Sequence, residues 1–134
     1  MKILICGDII IDKYTYGSVD RLAPDFLGFV FDAGKSERFL GGAGNAAKNI
    51  AALMPEAEVH LAGSMDPKYD HLLGKVTLHR VSEETLIKER IIATGEDLPH
   101  KPRQKQKIIR IDYGKTFSEE LPNCWPEGPF DYII

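Results

Sequence analysis

Two aspartates, Asp8 and Asp12, follow a short apolar run, ILIC at 3–6, in the segment GDIIID at 7–12. A carboxylate just past the C-terminal end of a buried strand lies at the edge where open α/β sheets take ligands, and there it can accept hydrogen bonds from sugar hydroxyls. The competing reading is that Asp8 caps a local turn while Asp12 sits on a solvated loop, the commoner outcome for two aspartates considered alone. A second candidate is GGAGN at 41–45. The paired glycines Gly41 and Gly42 let the backbone approach a ligand, and Asn45, at the start of a helix, offers an amide donor and acceptor. An ordinary loop with an Asn N-cap is the alternative. A third candidate is the pair Lys88 and Arg90, which the period of two in TLIKERIIA at 85–93 places on one strand face, with Ile87, Glu89 and Ile91 on the other. Together with Arg110 in a neighbouring strand they match the charge and geometry of a phosphate, although exposure on a solvent face is the commoner fate of Lys and Arg.

Other chemistries fail on context. GAGNAA, from Gly42 to Ala47, satisfies the dinucleotide pattern G-x-G-x-x-A, and Asp66 lies at about the expected 20-residue spacing. That pattern must directly follow a buried strand, however, and KSERFL before it is mostly charged and polar. A P-loop is excluded because Ala46 and Ala47 stand where Gly-Lys-Ser/Thr would be needed. His60, His71, His79 and His100 form no recognised zinc spacing with each other or with cysteine, so no metal site is assigned and they are read as surface or structural. No Ser or Cys has the context of a covalent nucleophile.

The elements that must position these residues read as follows. ILIC before Gly7 is a strand buried on both faces of a parallel sheet. Residues 13–40 are irregular, a peripheral excursion with one strand at Leu27 to Phe31. The Gly-rich turn then leads into a helix whose Ala47, Ile50, Ala51 and Met54 share one face and which Pro55 ends. EVHLAG at 58–63 is a second sheet strand, SMDPKYDHLLGK at 64–75 holds at most a short helical turn, and β-rich stretches follow at 76–81, 85–93 and 106–113. The long basic loop TGEDLPHKPRQK is a solvated connection. Residues 114–129 are a polar connection with Pro122, Pro126 and Pro129, and FDYII at 130–134 is another buried strand. The fold class is α/β.

Bulk properties agree with a small-molecule role. The 134 residues, 43% hydrophobic, suffice for one compact unit with a modest core. With 17 basic and 20 acidic residues the net charge of -3 gives no basic field for nucleic acid or a membrane surface. Cys6 and Cys124 are too few for a secreted disulfide framework, which points to a reducing cytoplasm. Asp8 and Asp12 interrupt the first apolar stretch before a signal core or membrane span is complete.

The order of the segments GDIIIDKYTYG, RLAPD, ERFLGGAGNAAKNIAAL, TLIKERII, QKIIRID and FDYII resembles the PfkB, or ribokinase-like, carbohydrate kinase family. More narrowly, the Asp-Lys-Tyr-x-Tyr-Gly stretch, Arg21 to Pro24, the Gly-Gly block and the Lys-x-Arg strand are similar to the kinases that phosphorylate heptose 7-phosphate in ADP-heptose synthesis for lipopolysaccharide. The resemblance implies the N-terminal part of a Rossmann-type core with a small β-sheet lid. The chain is then a single partial domain over 1–134: core at 2–12 and 41–63, lid strands within 13–40 and 76–113, connection at 114–129 and a final core strand at 130–134. It also implies that Asp12, Gly41, Gly42 and Asn45 hold the sugar and that Lys88 and Arg90 face its phosphate. In the family, ATP with Mg²⁺ phosphorylates the sugar, and a Gly-Ala-Gly-Asp signature supplies the anion hole and base. That signature and the nucleotide site are absent from this sequence, so the chain alone is not expected to catalyse phosphoryl transfer. Its expected partners are a sugar phosphate, a second copy paired through the lid strands, and a complementary C-terminal half. The alternative is a non-catalytic sugar-phosphate-binding or dimerisation module.

Overall fold

The apolar run at the start forms β1, Lys2–Cys6, in which Ile3, Leu4 and Ile5 are all buried. A strand apolar on consecutive residues must be covered on both faces, so it belongs in the interior of a sheet. In the computed structural model, which describes residues 1–95, 105–114 and 126–134, β1 is indeed flanked on both sides. It pairs in parallel with β4, Glu58–Gly63, and with β8, Tyr132–Ile133, while β4 pairs in parallel with β5, Thr77–Arg80. The sheet order is β5-β4-β1-β8.

Side chains alternate across this sheet. Ile3, Ile5, Val59 and Leu61 share one cluster with Ala47 from α1, Gly42–Leu53, while Leu4, paired with His60, points the other way. Ile50, Ala51 and Met54 pack against that cluster and with Ala47 make the stripe expected from the spacing, and Ala43 joins them. A fully buried residue such as Leu61 contributes about 1.5–3 kcal/mol of transfer free energy, so this seam fixes where α1 begins. A 3₁₀ helix, Pro67–Leu72, follows β4, and the Asp66 side chain caps it by accepting from the Lys68 N–H at 2.9 Å. It adds Tyr69 to the core, and Met65 and Leu73 beside it are also buried.

The second sheet has the order β3-β2-β6-β7, from β2, Ile9–Leu22, β3, Phe29–Gly41, β6, Leu86–Thr94, and β7, Lys105–Tyr113. Two compact units result. The first holds residues 1–11, 39–87 and 113–134, and the second holds 12–38 and 88–112.

Three expectations need correction. Residues 13–40 are not irregular with one short strand: β2 runs for 14 residues and β3 for 13. The glycines at 17, 28 and 34 suggested breaks, yet Gly17 and Gly34 lie inside strands where a Cβ would meet the Asp32 or Tyr16 carbonyl oxygen at 2.2 or 3.1 Å. Of the three β-rich stretches after residue 75, the first does not join the second sheet. It becomes β5 beside β4, because its pairing is decided by distant partners that local pattern cannot name. The helix begins at Gly42 with Gly41 as N-cap, so Asn45 lies inside the first turn rather than at the cap. The basic loop over 96–104 and the connection over 115–125, with His100, Pro122, Cys124 and Trp125, lie outside the described residues.

Candidate functional site

The second unit brings two of the candidate residues into direct contact. Asp12, early in β2, and Arg90, in the middle of β6, are 78 residues apart in sequence, and Arg90 Nη1 donates to Asp12 Oδ1 at 2.5 Å. Both side chains are about three-quarters shielded, at 24% and 22% exposure, so the pair is worth more than a fully solvated one. The hydrogen bond to Asp12 raises the Arg90 pKa above its ordinary value. The Tyr14 ring lies under the guanidinium, with Arg90 Cζ 5.2 Å from its centroid. Arg90 Nη1 also reaches the Lys88 carbonyl at 3.5 Å, and the Lys88 side chain is half-buried. Arg110 does not join this cluster as a third cation: it is exposed and pairs with Asp112 at 2.9 Å.

A guanidinium has five N–H donors and a carboxylate has two oxygens. The contact between them leaves donors for a phosphate and an oxygen for a hydroxyl, each held by the other. Such a pair can grip a polar ligand without reorganising, because the charges are already ordered.

Sequence reasoning missed what supports this pair. Glu89 is only 6% exposed, accepting from Thr15 Oγ1 at 2.6 Å and bridging Lys13 Nζ at 2.8 Å. The signal was present, since the alternation set Glu89 between Ile87 and Ile91 on one face. A carboxylate on an apolar face must find partners.

In the first unit, Gly42 makes a close backbone approach, while Gly41, the N-cap of α1, is extended. Gly42 has φ +56, a Cβ there would lie 2.3 Å from the Asp8 carbonyl oxygen, and that oxygen accepts from the Ala43 N–H at 3.0 Å. Gly42 is thus required by the packing of the Asp8 backbone on the start of α1. Asn45 is exposed on the first turn. Also in this unit, His60 Nδ1 and His79 Nε2 share a hydrogen bond at 2.9 Å, which sequence spacing did not disclose.

No family model matches the sequence. The chain is 44% identical over 110 residues to the bifunctional protein HldE of Caulobacter vibrioides, covering 82% of this chain and 23% of that protein. It is 30% identical over 113 residues to the D-beta-D-heptose 7-phosphate kinase of Bordetella bronchiseptica, covering 84% and 35%. Among solved structures, a carbohydrate kinase from Agrobacterium tumefaciens superposes with a TM-score of 0.55 at 17% identity, covering 84% of this chain and 35% of that one. Over most of its length the chain is similar in sequence to heptose 7-phosphate kinase relatives and in fold to ribokinase-like carbohydrate kinases. Ribokinase from Cryptococcus neoformans, solved with ADP, superposes with a TM-score of 0.52 at 14% identity over 90% of this chain and 38% of that one. The fold class expected from the sequence, the α/β N-terminal part of a ribokinase-like fold, is therefore the one found. The chain spans about a quarter of the length of the first curated relatives it matches, 22%, 25% and 24%.

Proposed function

We propose that this chain provides the sugar-binding side of an ATP-dependent carbohydrate kinase whose substrate is a phosphorylated heptose. The observation that carries the reading is the Asp12–Arg90 pair: two residues assigned to the sugar and to its phosphate on separate grounds meet at 2.5 Å. In this reading the second oxygen of Asp12 accepts from a sugar hydroxyl, while the remaining donors of Arg90, with Lys88, take the phosphate. Gly41, Gly42 and Asn45 are the Gly-Gly loop and asparagine of the family. The choice of a heptose phosphate is supported by the relatives, one of which is named as a D-beta-D-heptose 7-phosphate kinase.

Phosphoryl transfer needs positioned nucleotide and metal, an anion hole and a base. The family draws the last two from a Gly-Ala-Gly-Asp segment that these 134 residues do not contain, so ATP and Mg²⁺ belong in this reading to a complementary C-terminal half. A second copy of the chain, paired through its second sheet, is the other expected partner. A cytoplasmic setting suits both the phosphorylated substrate and the free thiol of Cys6. No helix among the described residues is long and apolar enough to cross a membrane.

The test is a chimera in which this chain replaces the matching segment of the Caulobacter relative. ATP-dependent phosphorylation of heptose 7-phosphate, lost on Asp12→Ala, is the expected result. A folded chimera that binds heptose 7-phosphate but never turns over ATP would overturn the kinase reading and favour a non-catalytic binding module.

A further inference from the structure

The second unit contains an open hollow of about 460 Å³ that uses none of the residues assigned above. Its central side chain is Tyr16, on β2. Lys35 from β3 and Lys105 from β7 place their ammonium groups 5.5 and 5.3 Å from the centre of that ring. Glu37 bridges Lys35 at 3.1 Å. Lys105 has no carboxylate within ion-pair distance among the described residues.

The walls are fixed as well as charged. Thr94 Oγ1 donates to the Gly17 carbonyl at 3.2 Å, tying β6 to β2 at the edge of the hollow. Gly17 and Gly34 cannot gain side chains without displacing backbone, since their Cβ atoms would stand 2.2 Å from the Asp32 oxygen and 3.1 Å from the Tyr16 oxygen. The floor therefore stays bare. Among the described residues that line it, two ammonium groups against one carboxylate leave a single positive charge over an aromatic face, with a carboxylate positioned to accept from a hydroxyl. That combination suits an anion carried on a polyol: the ammonium groups take the phosphate and the carboxylate takes a neighbouring hydroxyl.

We propose that this hollow is a second anion site, one that binds a phosphomonoester, either on a sugar or as inorganic phosphate. It stands independently of the kinase reading, because neither Asp12 nor Arg90 contributes to it.

The test is a titration of the isotope-labelled chain followed by NMR, with glucose 6-phosphate, inorganic phosphate and glucose as probes. Glucose 6-phosphate is expected to give saturable shifts of the Gly17, Gly34 and Lys35 amides, weakened roughly fivefold by Lys105→Gln and by raised salt. Lys35→Gln serves as the second variant if the first loses its dispersed spectrum. Tighter binding of glucose 6-phosphate than of phosphate would identify a sugar-phosphate site, and equal binding a bare phosphate site. The proposal is overturned if the amides do not shift, if glucose shifts them equally, if the folded lysine variants bind unchanged, or if Asp12→Ala abolishes the shifts.

Discussion

Arg90 and Asp12 meet at 2.5 Å, and on the residues immediately beside them the charges are reversed, with Glu89 and Lys13 2.8 Å apart. Neighbouring residues in a strand point to opposite faces. Two ion pairs of opposite polarity therefore tie β2 to β6, one on each face of the second sheet. Sliding either strand by one residue would set like charges against each other, which fixes the register that presents Asp12 beside Arg90.

The contact pair should show measurable coupling. A double-mutant cycle with Asp12→Ala and Arg90→Ala, read by urea denaturation, is expected to give about 1 kcal/mol, at the upper end for partly shielded pairs. Strictly additive losses would mean that the two side chains do not interact in solution.

Glu89 should matter more to stability than any exposed carboxylate of the sheet. Its side chain is 8% exposed, so Lys13→Met, which leaves the charge buried with Thr15, is expected to cost about 3 kcal/mol. Glu89→Gln, which keeps an acceptor for Thr15, should cost less. Denaturant midpoints of the two variants check the order, and a reversed order would refute the account of a buried, paired carboxylate.

The histidine pair predicts a pH dependence of known sign. Burial, with His60 beside it, holds the His79 pKa below its ordinary value of 6.5. The unfolded chain therefore takes up the proton first as pH falls, so this contribution to stability is present above 6.5 and is lost below it, through the depressed folded value. Glu58, whose Oε2 lies 3.8 Å from His60 Nε2, faces the same pair. Melting temperatures between pH 7.5 and 5.5 should decline, and His79→Gln should flatten the decline (a window set by the ordinary histidine range, about 6–7). An identical slope in the variant would show that other groups titrate there.

Gly42 is predicted to tolerate no side chain. Gly42→Ala combines a left-handed φ of +56 with a Cβ 2.3 Å from the Asp8 carbonyl oxygen, and it should cost about 1–3 kcal/mol. Thermal unfolding of the variant measures this. A neutral effect would mean that the start of α1 is packed differently.

What could be read from the sequence was local. ILIC, the stripe Ala47, Ile50, Ala51 and Met54, and EVHLAG each carried their own period and became β1, α1 and β4. The length of β2 and β3 was hidden because Gly17 and Gly34 imitate turns while in fact permitting close backbone contacts with Asp32 and Tyr16. Which sheet β5 would join depended on Leu61 meeting Leu78, a pairing no local pattern encodes. Within the candidate site, Asp12 and Arg90 were each legible by type and position. Their mutual contact, the Glu89 cluster and the hollow around Tyr16 arise only when β2, β6 and the strands beside them are brought side by side.

The most direct test is calorimetric titration of this chain with heptose 7-phosphate. We expect saturable binding with one component that Asp12→Ala and Arg90→Met each weaken by about tenfold, the scale of one charged hydrogen bond. Binding of equal strength in both variants, or no heat with heptose 7-phosphate under any conditions where the chain is folded, would contradict the account.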